Sequence, residues 1–150
     1  MTMGDPSGVG PEVTLKALAS PGIAGLANFL LIGDGAVLSK TSRLTGVECA
    51  VPVLDLKNVS AGAFSYGVSR PEYGKASMQF LDVALDRLKQ KKADCLVTGP
   101  INKSSIRQAG FARFQGHTEY LAAKTSTKSC AMMFVGDKLK ITLVTRHVAL

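Results

Sequence analysis

The feature that most limits the fold of this chain is a repeated order of short apolar run, turn and helical segment. Residues 29–32 form one apolar run, which ends at Gly33-Asp34-Gly35, and residues 95–97 form another, which ends at Thr98-Gly99-Pro100. Each run is short enough for a buried strand, and residues with a helical pattern follow it. Strand, turn and helix in this order are typical of parallel α/β sheets.

Helical periodicity is clearest from Pro71 to Lys91, where one face carries apolar residues at three- and four-residue steps. Those residues are Phe80, Leu81, Ala84, Leu85 and Leu88. Shorter helices are predicted over 11–19, 36–44 and 102–109, and another begins near Thr118.

The remaining strand signals lie in two places. Valine-rich residues 47–54 predict a strand, which Pro52 places at a sheet edge or a bend, and residues 56–70 read as a loop. Apolar runs at 131–135 and 139–145 flank a short turn and predict an antiparallel hairpin. We therefore expect an α/β fold with a mostly parallel sheet, helices on both faces and one antiparallel pair.

Composition favours one soluble globular domain, because 46% of the 150 residues are hydrophobic and no apolar run is long enough to span a membrane. The N-terminus lacks the pattern of a signal peptide, and Cys49, Cys95 and Cys130 are odd in number and far apart. We expect reduced thiols, a cytoplasmic location and no membrane partner.

The formal net charge of +7 arises from 18 Lys and Arg against 11 Asp and Glu. The basic residues are dispersed and have no interleaved aromatic residues, a pattern that favours a solvated surface over nucleic-acid binding. A phosphorylated small-molecule substrate remains compatible with this charge.

Two segments carry candidate ligand loops. Residues 3–12 read MGDPSGVGPE, and their glycines and the following helix start favour an anion, yet the dinucleotide fingerprint and the P-loop are both incomplete. Residues 98–103 read TGPINK and lie at the carboxyl end of a predicted strand, where Lys103 can face a carboxylate or phosphate. A structural turn in the first segment and a capped helix with a solvated lysine in the second remain the alternatives.

His117 and His147 are the only two histidines of the chain. His117 stands between Gly116 and Thr118 at a predicted helix start, and His147 follows a predicted strand. Ordinary packing is the alternative to a functional role. A zinc site needs three or four protein ligands, so two histidines do not complete one.

Four blocks in the same order resemble the N-terminal half of the 4-hydroxythreonine-4-phosphate dehydrogenase (PdxA) family. They read TMGDPSGVGPEV, VTGPINKSSIRQAGF, GHTEYLA and MMFVGDKLKITLVTRHVAL. The resemblance implies a three-layer α/β/α subunit of the isocitrate and isopropylmalate dehydrogenase type, which forms a homodimer and uses NAD and a divalent metal ion (zinc, magnesium or cobalt). It also implies oxidation and decarboxylation of a phosphorylated hydroxy amino acid, 4-phosphohydroxy-L-threonine, in pyridoxal phosphate (vitamin B6) biosynthesis.

The same resemblance assigns residues. His117 and Thr118 match the family's substrate-binding pair, and His147 matches the first of three metal-binding histidines. Further residues that lie in matching blocks, and that we expect to line the site, are Asp5, Asn102 and Lys103.

Members of this family are longer than the present chain, so we expect residues 1–150 to be the N-terminal portion of a subunit and to be inactive alone. Two alternatives stay open. One is a paralogous dehydrogenase for a phosphorylated threonate or erythronate, and the other is a catalytically inactive truncated family member.

Overall fold

The computed structural model describes residues 1–145 of the chain. The chain separates into two compact units, residues 1–113 and residues 114–150. Composition led us to expect one domain. Composition is a sum over the whole chain, so it does not show where contacts between distant residues stop. Within the described residues, no helix is both long and apolar enough to cross a bilayer.

Helices and short parallel strands make up the first unit. Its helices are α1 (Gly10–Leu18), α2 (Pro21–Ala24), α3 (Gly35–Thr45), α4 (Pro71–Lys89) and α5 (Lys103–Gln108). Its strands are β1 (Leu31–Gly33) and β2 (Val53–Asp55), and a 3-10 turn covers Ala61–Ala63. The helices predicted from periodicity are confirmed with small shifts at their ends, whereas the short α2 was not predicted.

The N-terminal segment of the chain lies in the interior of the sheet of this unit, with a neighbouring segment on each side. β1 and β2 are parallel neighbours, and Thr2 forms parallel bridges to both Ile32 and Thr98. Met3 N donates to Ile32 O at 2.9 Å, and Gly99 N donates to Thr2 O at 2.9 Å. The spatial order in the sheet is therefore the segment around Thr98, the segment around Thr2, β1 and β2. The chain first adds β1 and β2 on one side of the segment around Thr2, and the segment around Thr98 then pairs on its other side.

The longest helix, α4, supplies much of the core. Its predicted apolar face is confirmed, since Phe80, Leu81 and Ala84 are buried at three- and four-residue steps. At Gly74 the helix lies so close to α5 that a Cβ atom would overlap the carbonyl group of Ser105. This contact fixes the first turn of α5 against the core.

Two strand predictions require correction. Residues 95–97 do not form a buried strand, because Cys95 is exposed, Val97 is 47% exposed and only Thr98 makes a bridge. This segment borders the sheet on a side where the described residues provide no further strand. Of residues 47–54 only the last two join β2, and Pro52 contributes a carbonyl that accepts from Leu31 N at 3.0 Å.

The described part of the second unit consists of α6 (His117–Lys124) and the strands β3 (Met133–Val135) and β4 (Lys140–Thr142). The two strands are antiparallel, with Phe134 opposite Ile141, which confirms the predicted hairpin. Gly136 N donates to Leu139 O at 2.9 Å and closes the turn. The apolar side chains of both strands are exposed within the described structure.

Candidate functional site

The candidate site lies where the sheet of the first unit changes direction. The segments around Thr2 and Thr98 are neighbours in the sheet, but most of the first unit separates them in sequence. In open α/β sheets such a switch point leaves a crevice beyond the carboxyl ends of the two strands, and ligands bind there. Here a cleft of about 470 Å³ lies at this place. The residues that line this switch-point cleft are Asp5, Gly8, Val9, Pro100, Ile101, Asn102, Lys103 and Ser104.

Asp5 is the buried acidic group of the cleft, with only 4% of its surface exposed. Its Oδ1 accepts a hydrogen bond from Ser7 N at 2.9 Å, and its own backbone N–H donates to Pro100 O at 2.8 Å. Burial raises the pKa of the Asp5 carboxyl, while the hydrogen bonds from Ser7 and from the Asn102 side chain partly oppose that rise. Asp5 is thus a carboxyl group whose ionised form is disfavoured.

Gly4 gives Asp5 its position. Its φ angle is +79°, a region that residues with a side chain rarely adopt, and a Cβ atom at this position would overlap Pro100 O. The Gly4 carbonyl accepts from Ser77 Oγ at 3.3 Å, which ties the loop to α4. The close approach of the two loops therefore depends on the absence of a side chain at Gly4.

Asn102 joins the second loop to the first. Its Oδ1 accepts hydrogen bonds from Ser104 N at 2.9 Å and Ser105 N at 3.2 Å, and thereby caps α5. Its side-chain amide donates to the Asp5 carboxyl. Lys103 is the first residue of α5, and its side chain is exposed at the cleft.

Ser7 was not singled out from the sequence, yet it holds the glycine-rich loop in place. Its Oγ donates to Ser65 O at 2.9 Å and accepts from Val68 N at 3.0 Å. Its carbonyl accepts from Gly67 N at 2.8 Å. A serine inside a glycine-rich loop is a signal for such side-chain to backbone bonds, but the partner segment could not be read from the loop itself.

The second unit contains the other two described candidates. His117 and Thr118 are the first residues of α6 after Gly116, and both are half-buried. In the same unit the rings of Phe114 and Tyr120 lie 5.9 Å apart, between centroids. His147 lies outside the described residues, so its expected metal role remains a prediction.

The structure thus brings Asp5, Asn102 and Lys103 together in one cleft and leaves His117 beside Thr118 at a helix start. Within residues 1–145, no three His, Cys, Asp or Glu side chains lie close enough together to hold a metal ion. The described residues alone therefore do not form a metal site. The exposed ammonium group of Lys103 in the cleft fits an anionic ligand.

These features define a class of protein: an α/β protein with an open parallel sheet and a polar ligand cleft at the switch point. Comparison with known proteins agrees with this class. The sequence pattern of the family described as "Pyridoxal phosphate biosynthetic protein PdxA" matches residues 25–150. The chain belongs to the PdxA family.

Individual relatives show the extent of the match. A 4-hydroxythreonine-4-phosphate dehydrogenase of Sulfurihydrogenibium sp. is 36% identical over 161 residues, which cover 100% of this chain and 49% of that protein. A protein of Fusobacterium nucleatum subsp. nucleatum, provisionally named D-threonate 4-phosphate dehydrogenase, is 32% identical over 99% of this chain and 49% of its own length. The chain spans about half the length of these relatives.

A solved structure confirms the fold. The crystal structure of a 4-hydroxythreonine-4-phosphate dehydrogenase from Burkholderia phymatum superimposes with a TM-score of 0.89 at 29% sequence identity. The match covers 99% of this chain and 49% of that one. The expected α/β fold, with a parallel sheet and an antiparallel hairpin, is therefore that of the family.

Proposed function

We propose that the full-length protein carrying this chain oxidises 4-phosphohydroxy-L-threonine with NAD, in the biosynthesis of pyridoxal phosphate. The observation that carries the proposal is the match of the whole chain to relatives and to a solved structure with that name. The reaction would convert the secondary alcohol to a ketone, and the resulting β-keto acid would lose CO₂.

The roles of individual residues follow from this proposal. His117 and Thr118 bind the substrate, and His147 is a metal ligand. The switch-point cleft lies on the first unit. NAD, when bound, supplies the hydride acceptor. Within residues 1–145, no group of three His, Cys, Asp or Glu side chains could hold a metal ion.

The cleft residues have roles that need no cofactor. Lys103 offers a cation to an anionic ligand, and Asp5 and Asn102 hold the two loops of the cleft in register. A pre-formed cleft matters because a group that is already oriented loses little freedom when the ligand binds.

We propose that the enzyme is cytoplasmic and acts as a homodimer, and that its partners are small molecules rather than nucleic acid. Dimerisation can be measured by size-exclusion chromatography with light scattering on the full-length protein.

The direct test is a spectrophotometric assay of NADH formation by the full-length protein with 4-phosphohydroxy-L-threonine, NAD and a divalent metal ion. We expect turnover that depends on enzyme and on all three additions. The same assay on the 150-residue chain should show none, because its two histidines do not complete a metal site. Absence of NADH formation by the full-length protein would refute the proposal.

A second candidate substrate is D-threonate 4-phosphate. The observation that favours it is that a relative with this provisional name matches almost as well, at 32% identity. A comparison of kcat/KM for the two substrates distinguishes the candidates, since the higher value identifies the preferred substrate. A protein that binds both compounds and oxidises neither would be a catalytically inactive family member.

A further inference from the structure

We propose that the switch-point cleft binds a phosphate-class anion through the Lys103 ammonium group, with Asp5 and Asn102 as positioning residues. This inference rests on the proposed function, because both the phosphorylated substrate and the dinucleotide cofactor carry phosphate groups.

The Lys103 side chain is exposed at the cleft, and no carboxylate of the described residues forms an ion pair with it. Lys16 differs, because its ammonium group pairs with Glu12 one helical turn away. A cation without a protein counter-ion at the mouth of a ligand crevice is available to an anion from solution.

The Asn102 carbonyl oxygen caps α5, and the Asn102 amide group donates to the Asp5 carboxyl. Both polar ends of Asn102 are thus engaged within the protein. This leaves Lys103 as the cationic group of the cleft, on a helix start that Asn102 holds in place.

Asp5 would repel a phosphate placed against its carboxyl group, but Asp5 is buried to all but 4% of its surface. Lys103 is exposed. The favourable position is therefore on the solvent side of the cleft beside Lys103, where the Coulomb attraction acts at short range and the repulsion from Asp5 acts at longer range.

The test uses the full-length protein and isothermal titration calorimetry with inorganic phosphate. Lys103→Gln removes the charge and keeps a polar side chain, and Lys103→Arg keeps the charge. We expect phosphate affinity to fall about tenfold or more in Lys103→Gln, the typical loss for a charge-assisted hydrogen bond, and to stay within about threefold in Lys103→Arg. Both variants should keep the wild-type melting temperature, because the Lys103 side chain is exposed.

Lys92→Gln is the matched control. Lys92 is exposed and lines a different cavity together with Met1 and Leu30, at the amino ends of the strands. Its substitution removes the same charge but should leave phosphate affinity unchanged. An equal loss of affinity in both glutamine variants would mean that phosphate affinity depends on net charge alone, and the proposed site would be wrong.

Titrations with 4-phosphohydroxy-L-threonine and with NAD then distinguish the two sources of phosphate. A loss in Lys103→Gln for the substrate alone identifies the substrate phosphate, and a loss for NAD alone identifies the pyrophosphate. Unchanged affinity for phosphate and for both ligands would overturn the inference. If the wild-type protein oxidises no substrate but still binds phosphate through Lys103, the proposed function fails while the anion site stands.

Discussion

The buried carboxyl group of Asp5 accepts a hydrogen bond from the side-chain amide of Asn102, which in turn caps α5 through its carbonyl oxygen. One short chain of hydrogen bonds therefore runs from the loop after the first sheet segment to the first turn of a helix that follows Thr98. Because these loops are distant in sequence, their contact determines the shape of the cleft between them.

The close approach at Gly4 predicts a large cost for a side chain there. Gly4→Ala should destabilise the protein by about 2–4 kcal/mol, because the left-handed backbone and the overlap with Pro100 O both become unfavourable. Gly8→Ala is the matched control, since its Cβ would lie 3.5 Å from Asp5 Cβ, an ordinary contact distance. Chemical denaturation measures both changes, and equal effects would contradict the geometry at Gly4.

The raised pKa of Asp5 predicts a dependence of stability on pH. Because the folded state holds this proton more tightly than the unfolded state, the free energy of unfolding falls as pH rises above the ordinary aspartate pKa of 3.8. The cost is complete once pH exceeds the raised pKa. Asp5→Asn lacks this titration, so its stability relative to wild type should improve with pH over that window. Parallel stability curves for the two proteins, measured by urea denaturation, would show that Asp5 has no raised pKa.

Asn102 combines two roles that substitution can separate. Asn102→Ala removes the cap of α5 and should cost about 1 kcal/mol of stability. Asn102→Ser keeps a capping oxygen but loses the amide that reaches Asp5, so stability should recover more than phosphate affinity does. Calorimetry and thermal unfolding measure the two properties. Full recovery of both in the serine variant would show that the bond to Asp5 does not position the cleft.

His117 should matter for substrate and not for metal. In the full-length protein, His117→Ala should weaken substrate binding or turnover by about tenfold to a hundredfold, the loss expected for one hydrogen bond to a charged ligand. Metal content, measured by elemental analysis, should stay nearly unchanged. Unaltered kinetics with a lowered melting temperature would instead identify His117 as a packing residue.

His147 should behave in the opposite way. In the full-length protein, His147→Ala should lower metal stoichiometry and abolish activity, and added metal should restore little. The same substitution in the 150-residue chain should hardly alter zinc binding, because isolated imidazole groups bind zinc weakly. Tight stoichiometric zinc binding by the short chain, lost on His147→Ala, would reveal a ligand set that the described residues do not show.

Local signals predicted most of the helices, and long-range relations could not be read from them. The apolar period of α4 and the proline at its start were sufficient to place it, and Asn102 is a residue type typical of helix caps. The pairing of Thr2 with Thr98 had no local signal, because it depends on which strands become neighbours. For the same reason the exposure of Val97 was missed, since an apolar run does not show whether a sheet continues beyond it.

The interior position of the first sheet segment has a consequence for the order of folding. Thr2 can pair with Ile32 early in folding. The other edge of the Thr2 segment can pair only when Gly99 is available, and Gly99 is 97 residues away along the chain. Closing so long a loop has a high entropic cost, and contacts of large sequence separation slow folding. We therefore expect β1 and β2 to assemble on the amino-terminal segment first. On a ribosome, the crevice between Asp5 and Asn102 would form only after α5 has emerged, so the ligand site is the last part of this sheet to be completed.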